Sequence, residues 1–193
     1  MLHKGDVIAM IEKRYDSLKI ENIVASGAIA DAIDLADVSK KIEHCELNQK
    51  RFPGAVFRIE NPKIASLIFS SGKVVLTGIR DQDTLKQGLS QIIAAMKKAG
   101  VKTYPEPRVA VTNIVCSYDI GKNINLNKVV ITLNLENIEY EPEQFPGLVY
   151  RIKDPKIVAL LFSSGKIILT GGRTLDEIKR GLDFLEQKIG AIL

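Results

Sequence analysis

Two hydrophobic spacings alternate along this chain. Some short stretches repeat every second residue, as half-buried strands do. Longer ones repeat every 3.6, as amphipathic helices do. Residues 19–27 (KIENIVASG) set Asn22, Val24 and Ser26 on one face and Ile23 and Ala25 on the other. Asp34 is placed to cap a short helix reaching about Ile42, with Leu35, Val38 and Ile42 inward. A short strand near 45–49 follows, then strands at Ala55–Ile59, Ala65–Phe69 and Lys73–Thr77. Asn61-Pro62 marks a turn, because a residue before proline avoids the helical region. Ser70-Ser71-Gly72 marks a hairpin, with glycine supplying the left-handed φ. Leu85, Leu89, Ile92, Ile93 and Met96 then stripe one face of a helix from about Asp83 to Lys98, stopped by Gly100. Ahead of all this, Val7, Ile8, Ile11 and Tyr15 give residues 1–18 the look of a tail or short surface helix.

The whole order occurs twice. FPGAVFRIENPKIASLIFSSGKVVLTGIR (52–80) and FPGLVYRIKDPKIVALLFSSGKIILTGGR (145–173) agree at 19 of 29 positions without a gap. Chance would give roughly two. The flanks repeat more weakly: ENIVAS (21–26) matches TNIVCS (112–117), and Asp34-Leu35 matches Asn125-Leu126. The second long helix opens on Thr174-Leu175-Asp176-Glu177, a capping-box spacing, and carries Leu175, Ile178, Leu182, Leu185 and Ile189 as its apolar stripe. A long-period repeat decides architecture before local detail does. The expected organisation is a first repeat over 19–99, a proline-marked linker over 100–108 (including KTYPEPR, 102–108) and a second repeat over 109–193. The expected class is α+β, with helices on one face of antiparallel sheet.

Composition narrows the function classes. With 193 residues and 46% hydrophobic content the chain can bury a proper core. A net charge of +4 is only mildly basic and does not by itself demand nucleic acid. Cys45 and Cys116 lie in unrelated contexts, as in a reducing compartment. No apolar run of membrane-spanning length and no signal-peptide core occur, so no membrane partner is expected. FSSGK fails as a P-loop, lacking the earlier glycine and the Ser or Thr after Lys73. Ser70-x-x-Lys73 and Ser163-x-x-Lys166 match the serine–lysine hydrolase spacing but sit in hairpins, without the companion motifs. His44-Cys45 lacks a ligand set for a metal, and His3 reads as tail. The expectation is a non-enzyme without cofactor or metal.

One feature of the pattern points to binding. A sheet covered by helices on one side should be polar on the other. Here both faces are apolar: Val74 and Leu76 point one way, Val75 and Thr77 the other, and Leu67 and Phe69 share a face. Each repeat supplies only one long helix. Either the two repeats pack face to face, or one apolar face is left open for a partner. Arg58, Lys73, Arg151 and Lys166 on the same strands, with Asn22 and Asn113 on the open side, favour the second. Basic rims around an apolar surface bearing Asn and Thr suit the DNA minor groove, floored by acceptors and walled by phosphates.

The motifs FPG, NPK and DPK, IFSSGK and LFSSGK, and LTG, twice in order, resemble those of the TATA-box-binding protein family, over about residues 19–190. EYEPEQFPGLVYR (139–151) is similar to that family's second stirrup. The resemblance implies a pseudo-twofold saddle: a continuous curved antiparallel sheet with two long helices on the convex face. It implies a general transcription initiation factor that binds and sharply bends promoter DNA through the minor groove. By the same resemblance Phe52, Phe69, Phe145 and Phe162 are the intercalating wedges. Asn22, Val24, Leu67, Val75 and Thr77, with Asn113, Val115, Leu160, Ile168 and Thr170, meet the minor groove. Arg58, Lys63, Ser71 and Lys73, with Arg151, Lys156, Ser164 and Lys166, meet phosphates. Glu141 and Glu143 meet transcription factor B. The implied partners are double-stranded TATA-box promoter DNA, transcription factor B and the RNA polymerase pre-initiation complex, with a homodimer off DNA as a further expectation. The implied setting is the archaeal cytoplasm, with a nucleus as the alternative. Ile79-Arg80 and Gly172-Arg173 replace the family's frequent Ala-Lys, and GAIADA (27–32) is atypical. These departures keep open a divergent paralogue, or a protein-binding pseudodimer that regulates transcription without TATA specificity.

Overall fold

The computed structural model describes residues 15–48, 50, 52–133 and 137–190. The expected N-terminal helix, with Val7, Ile8 and Ile11, lies outside them. In chain order the described elements are β1 (Lys19–Ala30), α1 (Leu35–Lys41), β2 (Cys45–Leu47), β3 (Ala55–Ile59), β4 (Ile64–Ile68), β5 (Lys73–Ile79), α2 (Gln82–Lys98), β6 (Thr103–Asp119), α3 (Leu126–Thr132), β7 (Ile138–Glu139), β8 (Leu148–Ile152), β9 (Ile157–Leu161), β10 (Lys166–Gly172) and α4 (Leu175–Ile189). Two compact units result. One is Asn22–Asn113; the other joins Met1–Glu21 to Ile114–Leu193.

In the first unit β2, β3, β4, β5 and β1 are neighbours in that order, all antiparallel. The second unit gives β7, β8, β9, β10 and β6, again antiparallel. Registers coincide: Val56 faces Leu67, which faces Val75; Val149 faces Leu160, which faces Ile168. Cross-strand partners share a face, so these rows define one face of each sheet. On the other face Ile68, Val74, Leu76 and Ile79, and Leu161, Ile167 and Leu169, are fully buried. There α2 packs on β5, and α4 on β9 and β10.

All four described helices begin on a side-chain cap, which satisfies otherwise orphaned N–H groups. Asp34 accepts from Ala36 and Asp37, Asn125 from Lys128, Asp81 from Thr84. Thr174 accepts from Glu177 and completes the expected capping box. The expected stripe of α4 is buried except Leu175, which is 36% exposed because it stands at the first helical position, ahead of the sheet contact.

The stretch read as a linker is a correction. From Thr103 it is the start of a 17-residue strand, β6. Pro105 and Pro107 lack ladder donors, which a strand tolerates where no partner needs their N–H. This part of β6 runs beside β1: Thr112 Oγ1 donates to the Val24 carbonyl at 3.2 Å. β1 itself extends to Ala30, three residues further than its alternation predicts, because Ile29 and Ala30 are buried.

Candidate nucleic-acid interface

The helix-free face of the first unit carries Asn22, Val24, Ser26, Leu67, Phe69, Val75 and Thr77, all partly exposed. Its strand neighbours pointing the other way, Ile23, Ala25, Ile68, Val74 and Leu76, are buried. The second unit repeats this with Val115, Leu160, Phe162, Ile168 and Thr170 against Cys116, Leu161, Ile167 and Leu169. Asn113, at the end of the first unit, is likewise partly exposed. The expected minor-groove residues thus occupy open sheet surface.

The four phenylalanines expected to act as wedges stand in pairs. Phe52 and Phe69 meet edge to face with centroids 5.6 Å apart, and Phe145 and Phe162 at 5.8 Å. None is buried, and Phe145 is 39% exposed. Such pairs hold their rings in a fixed relation. The glycine of each FPG motif makes room for them. A Cβ on Gly54 would lie 2.7 Å from Phe52 Cε1; on Gly147 it would lie 2.7 Å from Phe145 Cε1 and 3.0 Å from Phe162 Cε1. That role is not readable from the sequence, since it depends on where the rings go. Each second phenylalanine leads into a three-residue hairpin. Phe69 N–H donates to the Lys73 carbonyl and Phe162 N–H to the Lys166 carbonyl, both at 2.9 Å. Gly72 and Gly165 take φ of 76° and 92° there, so the SSG turns need glycine.

Asn22 is oriented by its neighbours. Its Oδ1 accepts from the Gly78 N–H at 2.8 Å, and its Nδ2 donates to Thr77 Oγ1 at 3.0 Å. The acceptor end is therefore occupied by backbone, and one amide hydrogen remains for a ligand. Gly78 comes from the LTG motif, a contribution that sequence reasoning assigns no role. Ser117 on the second unit's open face donates to Glu21 Oε1 at 2.5 Å, another contact not foreseen.

The expected phosphate residues Arg58, Lys63, Ser71 and Lys73, and Arg151, Lys156, Ser164 and Lys166, are all exposed. Among the described residues only Arg151 of these cations has an acidic partner, Glu139. Glu141 and Glu143 are exposed on a turn closed by Phe145 N–H donating to the Glu141 carbonyl at 3.0 Å. The equivalent turn before Phe52 is closed the same way, from Phe52 N–H to the Asn48 carbonyl at 3.0 Å, and carries Lys50 where the other has Glu143. Both cysteines are buried. Burial, with Glu21 adding to it, pushes the Cys116 thiol up to about 11, and burial raises Cys45 as well. Neither is a ready thiolate. The described residues hold no cluster fit for a metal ion and no helix long and apolar enough to cross a membrane.

Comparison with known proteins agrees with this geometry. The family model described as "Transcription factor TFIID (or TATA-binding protein, TBP)" matches residues 17–99 and again 108–191. TATA-box-binding protein 1 of Methanosarcina acetivorans is 46% identical over 173 residues, 90% of this chain and 94% of that one. The TATA-box-binding protein of Archaeoglobus fulgidus is 45% identical over 89% of this chain and 94% of its own. The solved structure of Methanococcus jannaschii TBP superposes with a TM-score of 0.82 at 41% identity, covering 91% of this chain and 99% of that one.

Proposed function

This chain belongs to the TATA-binding protein family of transcription initiation factors, and we propose that it binds TATA-box promoter DNA in the minor groove, bends it sharply and recruits transcription factor B and RNA polymerase. The observation that carries this reading is the pair of accessible phenylalanines at one end of each apolar, helix-free sheet face.

The residues support a division of labour. Phe52, Phe69, Phe145 and Phe162 wedge between base steps. This family is the standard example of such kinking, at a few kcal/mol per unstacked step. The bent duplex then lays its groove on Val24, Leu67 and Val75, and on Val115, Leu160 and Ile168, whose burial offsets that cost. Steps that unstack easily, such as TA, lower the penalty, so deformability yields sequence preference. The remaining Asn22 amide hydrogen meets adenine N3 or thymine O2. A guanine would present its N2 amino group to this donor, which disfavours G·C but does not separate A·T from T·A. Asn113, Thr77 and Thr170 act with it. The exposed cations and hairpin serines grip phosphates on either side. Because base readout is nearly blind to direction, orientation comes from a partner on one stirrup, the acidic turn of Glu141 and Glu143.

The test is a gel shift on TATA-containing against GC-scrambled duplex at moderate salt, with bending read by fluorescence transfer between labelled DNA ends. Wild type is expected to prefer and bend the TATA duplex, and Phe162→Ala to keep its fold but lose the bend. A wild-type protein that binds both duplexes equally, or neither, would refute the proposal. The second outcome would favour a protein-binding pseudodimer.

A further inference from the structure

The two repeats hold one arginine each in the same backbone frame. Arg58 N–H donates to the His44 carbonyl at 3.1 Å, and Arg151 N–H to the Asn137 carbonyl at 2.9 Å. His44 and Asn137 share a left-handed φ, 59° and 58°. Each arginine lies two residues beyond a valine that faces a glutamate across the strand pair: Glu46 opposite Val56, Glu139 opposite Val149. The scaffold therefore offers the same diagonal acid–base pair twice. Among the described residues it is made once. Arg151 Nε donates to Glu139 Oε1 at 3.0 Å, whereas Arg58 has no ion-pair partner.

We propose that Glu139 tunes DNA affinity and sets a polarity between the two half-sites, its carboxylate occupying the guanidinium that the other repeat leaves open to a phosphate. The inference rests on the minor-groove reading above. A phosphate approaching Arg151 must displace a carboxylate; one approaching Arg58 displaces only water. Both side chains of the pair are more than half exposed, 56% for Arg151 and 63% for Glu139. An ion pair in that setting is weak, so the tuning is a matter of a few-fold rather than orders of magnitude.

The experiment measures Kd on a TATA duplex across a salt series for wild type, Glu139→Gln, Glu46→Gln, Arg58→Gln, Arg151→Gln and the double variant Glu139→Gln/Arg151→Gln, with circular dichroism confirming the fold of each. Glu139→Gln is expected to bind about two- to fivefold tighter. It should also steepen the salt slope by up to about 0.9, because the freed guanidinium neutralises one more phosphate. Glu46→Gln, which removes the same charge without freeing an arginine, leaves the slope unchanged. Arg151→Gln costs less affinity than Arg58→Gln in the wild-type background, and more once Glu139 is gone. Equal slopes for Glu139→Gln and Glu46→Gln, or equal costs for the two arginines, would overturn the inference while leaving the DNA-binding role standing. A wild type that does not bind the duplex would remove both.

Discussion

Ser66 shows what a single buried atom can cost. It sits on β4 between Phe57 and Leu76, fully buried, and its Oγ has no hydrogen-bond partner. An unpaired buried hydroxyl costs about 1–3 kcal/mol. The second repeat has Ala159 at this place, also fully buried, between Tyr150 and Leu169. Ser66→Ala is therefore expected to stabilise the protein by about 1 kcal/mol, seen as a higher urea midpoint with an unchanged slope. A lower midpoint would mean that the hydroxyl does useful bonding. The sequence places Ser66 on a strand but leaves its missing partner invisible, because partners come from strands it does not name.

At the scale of elements, the long helices meet the sheet through glycine. A Cβ on Gly181 of α4 would stand 2.8 Å from Ile157 Cγ1 and 3.1 Å from its branched Cβ, which cannot swing away. On Gly88 of α2 it would stand 2.3 Å from the mobile Ile64 Cδ1 but 3.6 Å from Cγ1. Alanine gains about 1 kcal/mol of helix propensity at either site, while overpacking costs about 1–3. Gly181→Ala is expected to lower stability and Gly88→Ala to come out near neutral, as thermal unfolding of the two variants would show. The helix caps add a pH dependence. Glu177 is held below its usual value chiefly by the Arg173 N–H, and Asp81 chiefly by the Thr84 N–H. A folded-state value below the unfolded one gives stability that is complete above the unfolded value and lost as pH falls through the folded one. The first turns of α2 and α4 are thus expected to fray once pH drops below the ordinary values of 3.8 and 4.5. Amide exchange at acid pH checks this, and Asp81→Asn with Glu177→Gln should flatten the trend. The Thr174–Glu177 box was legible in the sequence because capping is local, whereas the Asp81 cap lies two residues ahead of where the apolar stripe alone starts its helix. The packing of the glycines was not legible, since their partners are some 24 residues away in each repeat.

For the whole molecule, duplication makes the two halves alike and charge makes them differ. The turn before Phe145 carries Glu141 and Glu143; its counterpart before Phe52 carries Asn48 and Lys50. A partner that prefers one end has to read this difference. Glu141→Arg is expected to leave binding to the TATA duplex unchanged but to abolish the supershift with transcription factor B. Loss of DNA binding by this variant would place Glu141 in the DNA site instead. Which side chains of the candidate interface are accessible was legible from the alternation along each strand, which assigns faces, whereas the wedge role expected of the four phenylalanines came from the family resemblance.

Repetition, most element types, the caps at Asp34 and Thr174 and the apolar character of both strand faces follow from the order of residues alone, since each is carried by the repeat itself or by neighbours within a turn or a strand. Four things required the folded chain: the strand conformation of Thr103–Arg108, the fixed amide of Asn22, the ring space over Gly54 and Gly147, and the unequal pairing of Arg58 and Arg151. Each is settled by an atom far away in sequence but close in space, and a local pattern holds no record of which atom that will be.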